Sequence, residues 1–119
     1  MTLPLTKDML AAAYDFLVTT PPFNRWNLPD SDDILFKVVR ARDHQAYHQM
    51  SEGKHTVAVS CHTIGHTNSL MMAVGHELIH LYQAETGTDT SGVVHNAAFK
   101  KLAERVCKIH GWDYKLFSY

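Results

Sequence analysis

The sequence predicts a small α+β domain, three helices with a small β-sheet, and three observations carry that expectation. Apolar residues recur at helical spacing in three segments. β-branched residues cluster in two short ones, and the order is helix, strand, strand, helix, helix. A length of 119 residues suits one domain with one core, spanning residues 1–119.

The first helix is expected over residues 7–18. Thr6 precedes it as a cap, Leu5 and Leu10 are spaced for a hydrophobic staple, and Leu10, Ala13, Tyr14 and Leu17 form one apolar stripe. "TTPP" ends it, because proline cannot continue the hydrogen-bond ladder. "ILFKVVRAR", residues 34–42, and "HTVAVSC", residues 55–61, read as strands. The polar stretch between them contains Gly53 and reads as a hairpin-like loop. Two strands alone make a marginal sheet, so a third is expected to be hidden among the loops. A second helix should run from about Asn68 to Glu85, capped by Thr67 or Asn68. Leu70, Val74, Leu78 and Leu81 make it amphipathic. A third is expected from about Val93 to His110, closed by Gly111 as a left-handed cap.

Composition narrows the function classes. The formal charge is −1, with both signs interleaved, which leaves no electrostatic footprint for nucleic acid or an acidic membrane. Cys61 and Cys107 stand alone without a CxxC pair, which argues against a disulfide framework or a cysteine zinc ribbon and suits a reducing compartment. The N-terminus lacks the pattern of a signal peptide and no apolar run could span a bilayer, so a cytoplasmic protein is expected. The unusual count is nine histidines.

Two of these lie in "AVGHELIHLYQ", residues 73–83. On a helix, residues four apart share a face, so His76 and His80 can turn a ring nitrogen each toward one cation. Glu77 is about 100° round the helix, within reach of a metal-bound water. This is the chemistry of HExxH: zinc lowers the pKa of its water to roughly 7, and the glutamate takes the proton as the water attacks a carbonyl. Nine histidines and four glutamates placed by chance give this pattern roughly one time in fifty. The plainer alternative is a pair of packed or solvated helix histidines, and it needs that coincidence.

A catalytic zinc usually takes three protein ligands and keeps one open position. Gln83 and Thr86 occupy the glycine and last histidine of HExxHxxGxxH, so the chain is not a metzincin. Glu85, Asp89, His95, Glu104 and His110 remain. Phe99, Leu102, Val106 and Ile109 form the stripe of the third helix, and His95 is expected on that stripe at the first turn. Glu104 is about 180° away from it, with Lys101, Arg105 and Lys108 on the solvated side. Glu85 is about 140° from His80, and His110 is at the far end of the third helix. His95 is the best choice, and Asp89, in a loop, stays open.

"HELIH", a short loop and then "HNAAFKKLAERV" resemble the SprT-like metallopeptidases, which include the bacterial SprT proteins and the protease domain of Spartan. The resemblance covers roughly residues 55–112. It implies a small zincin-like (minizincin) fold, one Zn2+ per chain held by His76, His80 and His95, Glu77 as general base and Phe99 as a packing aromatic. Asn96 stands where the family usually has glycine, and the chain reaches Tyr119 without a cysteine ribbon or binding tail, so a bare catalytic core is expected. The resemblance implies proteolysis of a protein or peptide. It brings nucleic acid in only by family, since the charge does not indicate it.

The expected activity is therefore zinc-dependent endopeptidase. The substrate would lie in extended form against the sheet edge near Val57 to Ser60. A zinc-stabilised binding module without turnover is the alternative, and a zinc hydrolase of another substrate a third. Cys61, His62 and His66 could form a second metal site, or one of the histidines could face the oxyanion. His44, Tyr47 and His48 are expected as exposed loop residues, with the alternative that a tyrosine or histidine there could serve as an electrophile. Trp26 and Trp112 are expected as packing residues, with Trp112 folding back on the core.

Overall fold

The computed structural model describes residues 5–61 and 67–118. It is a small α+β domain with, among the described residues, four helices and a three-stranded sheet; the first two helices pack on the sheet, and the two later ones pack on the second. Helix α1, Lys7–Leu17, starts at Thr6, whose side chain accepts the Met9 N–H at 3.3 Å. Leu10, Ala13, Tyr14 and Leu17 are its buried face, at the spacing the sequence shows.

Strand β1, Ile34–Val39, stops short of residue 42 because its partner ends. Strand β3, Lys54–Ser60, runs parallel to it in a register that closes at Val39 opposite Ser60. The hidden strand is β2, Ala46–Ser51, antiparallel to β3. The two are joined at Glu52 and Gly53, both with positive φ, as a two-residue hairpin turn matched to strand twist requires. The order β1-β3-β2 makes β3 the central strand. Val57, Ala58, Val59 and Ser60 are all fully buried. A substrate strand therefore cannot add at Val57–Ser60, where both edges of the backbone are already paired. The edge next to helix α2 is β2.

Helix α2, Thr67–Thr86, carries the HELIH sequence. It was expected to be amphipathic, but its middle is buried on nearly every side, from Ala73 and Val74 to His76, Glu77, Leu78, Ile79 and Leu81. Helix α1, the sheet and the two later helices all contact it, so no solvated face is left there. At Gly75 a Cβ would meet the Trp112 ring at 3.1 Å, so glycine is what lets that indole pack against the helix. Trp112 folds back on the core as expected.

Helix α3, Ala97–His110, begins four residues later than expected. Asn96 is its N-cap and Gly111, at φ 73°, its left-handed C-terminal cap. Its buried face is Phe99, Ala103, Val106 and Cys107, while Ile109 is 44% exposed, so the stripe is rotated toward the two small residues. The short helix α4, Tyr114–Phe117, capped by Asp113, was not anticipated. Among the described residues no helix is long and apolar enough to cross a membrane.

Candidate metal centre

One turn of α2 separates His76 from His80, and their ring centroids are 5.1 Å apart. His95 reaches them from the segment ahead of α3. It is not on the helix: it sits immediately before the Asn96 cap. Its Nε2 is 3.2 Å from the Nε2 of His76. One ring nitrogen from each of the three histidines lies within 4.8 Å of the other two, an arrangement that could hold a metal ion. Two nitrogens bound tetrahedrally to zinc at about 2.0–2.1 Å would stand about 3.3 Å apart. The His76–His95 spacing fits that, and three imidazoles suit a borderline-soft ion such as zinc.

The tautomer of His76 is set from behind. Its Nδ1–H donates to the Phe117 carbonyl at 2.6 Å, which leaves the Nε2 lone pair facing the other two rings. Burial also keeps the rings neutral. It lowers the pKa of His76 to about 3 and that of His80 to about 4, and it lowers that of His95 as well. A metal therefore meets lone pairs at neutral pH rather than protons. Phe99 lines the floor beneath all three histidines, with ring centroids 5.0 Å from His76, 4.6 Å from His80 and 4.0 Å from His95.

Asn96 is the residue that aims His95. Its Oδ1 accepts the Phe99 N–H at 2.9 Å and the Gln83 Nε2–H at 3.0 Å. Its Nδ2 donates to the Thr88 carbonyl and to Thr90 Oγ1, both at 2.9 Å. Gln83, only 1% exposed, thereby ties the loop between α2 and α3 to the helix that carries His76 and His80. A glycine in place of Asn96 could make none of these side-chain bonds. The sequence signal was present as a capping residue one position after a histidine, but the predicted start at Val93 obscured it.

Glu77 is 2% exposed and borders the same cleft as the triad. The cleft has a volume of about 630 Å³, and its lining includes Asp43, His48, Val93, Val94 and His95. Asp89 lines it too and lies close enough to raise the pKa of His80, but it is not one of the three converging groups. The other third-ligand alternatives are elsewhere. Glu104 is exposed, Glu85 approaches His55 at 3.5 Å, and His110 bonds the Pro21 carbonyl at 2.9 Å.

His62 and His66 lie outside the described residues, and with them the second metal site and the oxyanion role considered there. Tyr47 and His48 are not exposed loop residues. Both are half-buried on β2, and His48 Nε2 is 2.9 Å from His55 Nδ1. Strand propensity gave no warning, because "AYHQMS" contains no β-branched residue. Trp26 packs as expected, stacked on Tyr82 at 4.5 Å. A scan against protein-family models finds none that matches the chain, and a search of curated proteins finds no match.

Proposed function

We propose that the protein is a zinc-dependent metalloendopeptidase of the SprT-like, zincin-like kind, with His76, His80 and His95 holding one zinc ion and Glu77 as general base. The observation that carries this reading is the convergence of the three imidazoles on one point in a cleft that Glu77 also borders. When bound there, zinc supplies Lewis acidity, acidifying a water and polarising a carbonyl.

The chain's own residues account for the rest. His76 is held in the correct tautomer by Phe117, and His95 is aimed by Asn96. Glu77, buried beside them, takes the proton of the attacking water and returns it to the leaving amine. The peptide lies extended along the cleft, beside β2, which is an edge strand of the sheet among the described residues.

Elemental mass spectrometry of the purified protein, with His95→Ala alongside, tests the metal centre: one zinc per chain, lost or much weakened in the variant, is expected. Cleavage of a generic unfolded protein then tests turnover. Glu77→Gln should keep its zinc and lose activity by on the order of 10²–10⁴. A zinc-stabilised binding module would hold zinc in both forms and cleave with neither.

A further inference from the structure

The cleft has a second pair of histidines, across from the triad, that the proposed chemistry has not used. His48 lies on β2 and lines the cleft with His76, Glu77, His80 and His95. Behind it on β3 is His55, which is 3% exposed. The two rings bond Nε2 to Nδ1 at 2.9 Å, with centroids 5.1 Å apart. On the far side of His55, its Nε2 lies 3.5 Å from Glu85 Oε2, a carboxylate that is half-exposed at the end of α2.

Counting protons shows what this chain can do. A neutral pair of imidazoles carries two N–H groups. One must occupy the shared bond, which leaves one for the two outer nitrogens, His55 Nε2 or His48 Nδ1. At the His55 end the attraction is Glu85, a charge weakened by solvent and too distant for a good hydrogen bond. At the His48 end it is whatever occupies the cleft. An anion developing there in direct contact with the ring outcompetes a more distant, half-exposed carboxylate for that proton. The proton at the buried His55 end leaves by way of the half-exposed Glu85 carboxylate, and His48 Nδ1 takes one from the water of the cleft, so the pair reaches the second form without a net change in charge.

We propose that His48 is a catalytic residue of the cleft, donating its Nδ1–H to the oxyanion that forms when the peptide carbonyl is attacked, and that His55 is the positioning residue that holds its ring. This deepens the peptidase reading and rests on it. The bond to His55 fixes the His48 ring, and in the form with His55 Nδ1–H as the donor His48 Nε2 accepts and Nδ1 is the donor left over. A donor prepared in this way favours the transition state over the ground state, because a neutral carbonyl draws the proton less strongly than an oxyanion does.

The test uses the zinc-loaded full chain and the variants His48→Ala, His48→Gln and His55→Gln. Two readouts are followed: cleavage of a fluorogenic peptide selected on the wild type, and calorimetric binding of the matching phosphinic peptide, a stable mimic of the tetrahedral state. His48→Ala should keep one zinc and its fold. Its kcat should fall on the order of 10²–10³ with KM changed only a few-fold, and the phosphinic peptide should weaken in parallel. Added imidazole should restore part of the lost rate, which a merely structural defect would not allow. His55→Gln should show a smaller fall, also in kcat. A wild type that cleaves, beside a zinc-loaded His48→Ala with unchanged kcat and phosphinic affinity, overturns the role of His48 and leaves the peptidase reading intact. A zinc-loaded wild type that neither cleaves unfolded protein nor binds phosphinic peptides overturns both.

Discussion

The imidazole of His95 lies flat on the ring of Phe99, with centroids 4.0 Å apart and planes 5° from parallel. His95 is outside the helix and has no neighbouring turn to orient it, so this contact and the Asn96 cap behind it set the direction of its Nε2. The same phenyl ring touches His76 and His80. One aromatic side chain thus packs against all three converging imidazoles at once, and it is completely buried in doing so.

Phe99→Ala should therefore cost about 3–5 kcal/mol of stability, as large-to-small aromatic substitutions in cores do. Phe99→Leu separates packing from aiming. It refills most of the volume but offers no flat surface, so the fold should survive while zinc affinity drops roughly 10-fold or more. Denaturant melts of the metal-free variants, with zinc competition against a chelating dye, measure the two effects separately. Unchanged affinity in Phe99→Leu would show that the ring is only a core residue.

The Gln83–Asn96 bond predicts a different kind of defect. Asn96→Gly retains a residue that helix starts tolerate and loses only a few tenths of a kcal/mol as a cap. It also removes the shorter of the two bonds that the buried Gln83 amide donates, leaving the one to the Thr88 carbonyl at 3.4 Å, at a cost of about 1 kcal/mol. Asn96→Asp keeps both acceptor functions but loses the donors to Thr88 and Thr90. Stability should fall in both variants. Zinc affinity should fall more in the glycine variant, because the chain before α3 is then free to turn His95 away. Equal zinc affinity in wild type and Asn96→Gly would refute the aiming role.

How far the sequence could be read depended on whether a feature was local. The four-residue spacing of His76 and His80, the buried stripe of α1 and the Gly111 cap are each set within a few turns of chain, and all are legible. Features that come from pairing between distant segments were not. Strand β2 owes its existence to β3 rather than to its own polar residues, and the buried surroundings of α2 follow from the elements packed on it. His95 is an instructive middle case. Elimination among acidic and histidine residues pointed to it, but for a helical geometry it does not have. Its aim comes from Asn96, the cap that follows it. The contribution of Phe117 was invisible, since a main-chain carbonyl leaves no mark in sequence.

The two cysteines differ enough to be told apart by reaction. Cys61 is exposed and Cys107 is buried on α3, where loss of water contact raises its thiol pKa to about 11. A thiolate is the reactive form, so Cys107 should be inert at pH 8. A disulfide-exchange dye should titrate one thiol rapidly in the folded protein and the second only in denaturant. Two fast thiols of equal rate would contradict the packing of α3.

The buried histidines also predict how the metal-free protein responds to acid. The pKa values of His76 and His48 are lowered to about 3 and about 4, in both cases chiefly by burial. In the unfolded chain each titrates near 6.5. Between those values the unfolded state binds protons that the folded state does not, so stability rises with pH across that range. The folded state should be fully stable above about pH 6.5. Below it, each of the two rings should remove up to about 1.4 kcal/mol per pH unit until the folded pKa is reached. Zinc competes for the same lone pairs, so the loaded protein should hold its stability to lower pH than the metal-free form and then release the ion. Denaturant midpoints at pH 7.5, 6.5, 5.5 and 4.5, with and without zinc, check both statements. A metal-free midpoint that stays level between pH 6.5 and 4.5 would mean that these rings are hydrated in solution, and the tight packing around the triad would have to be abandoned.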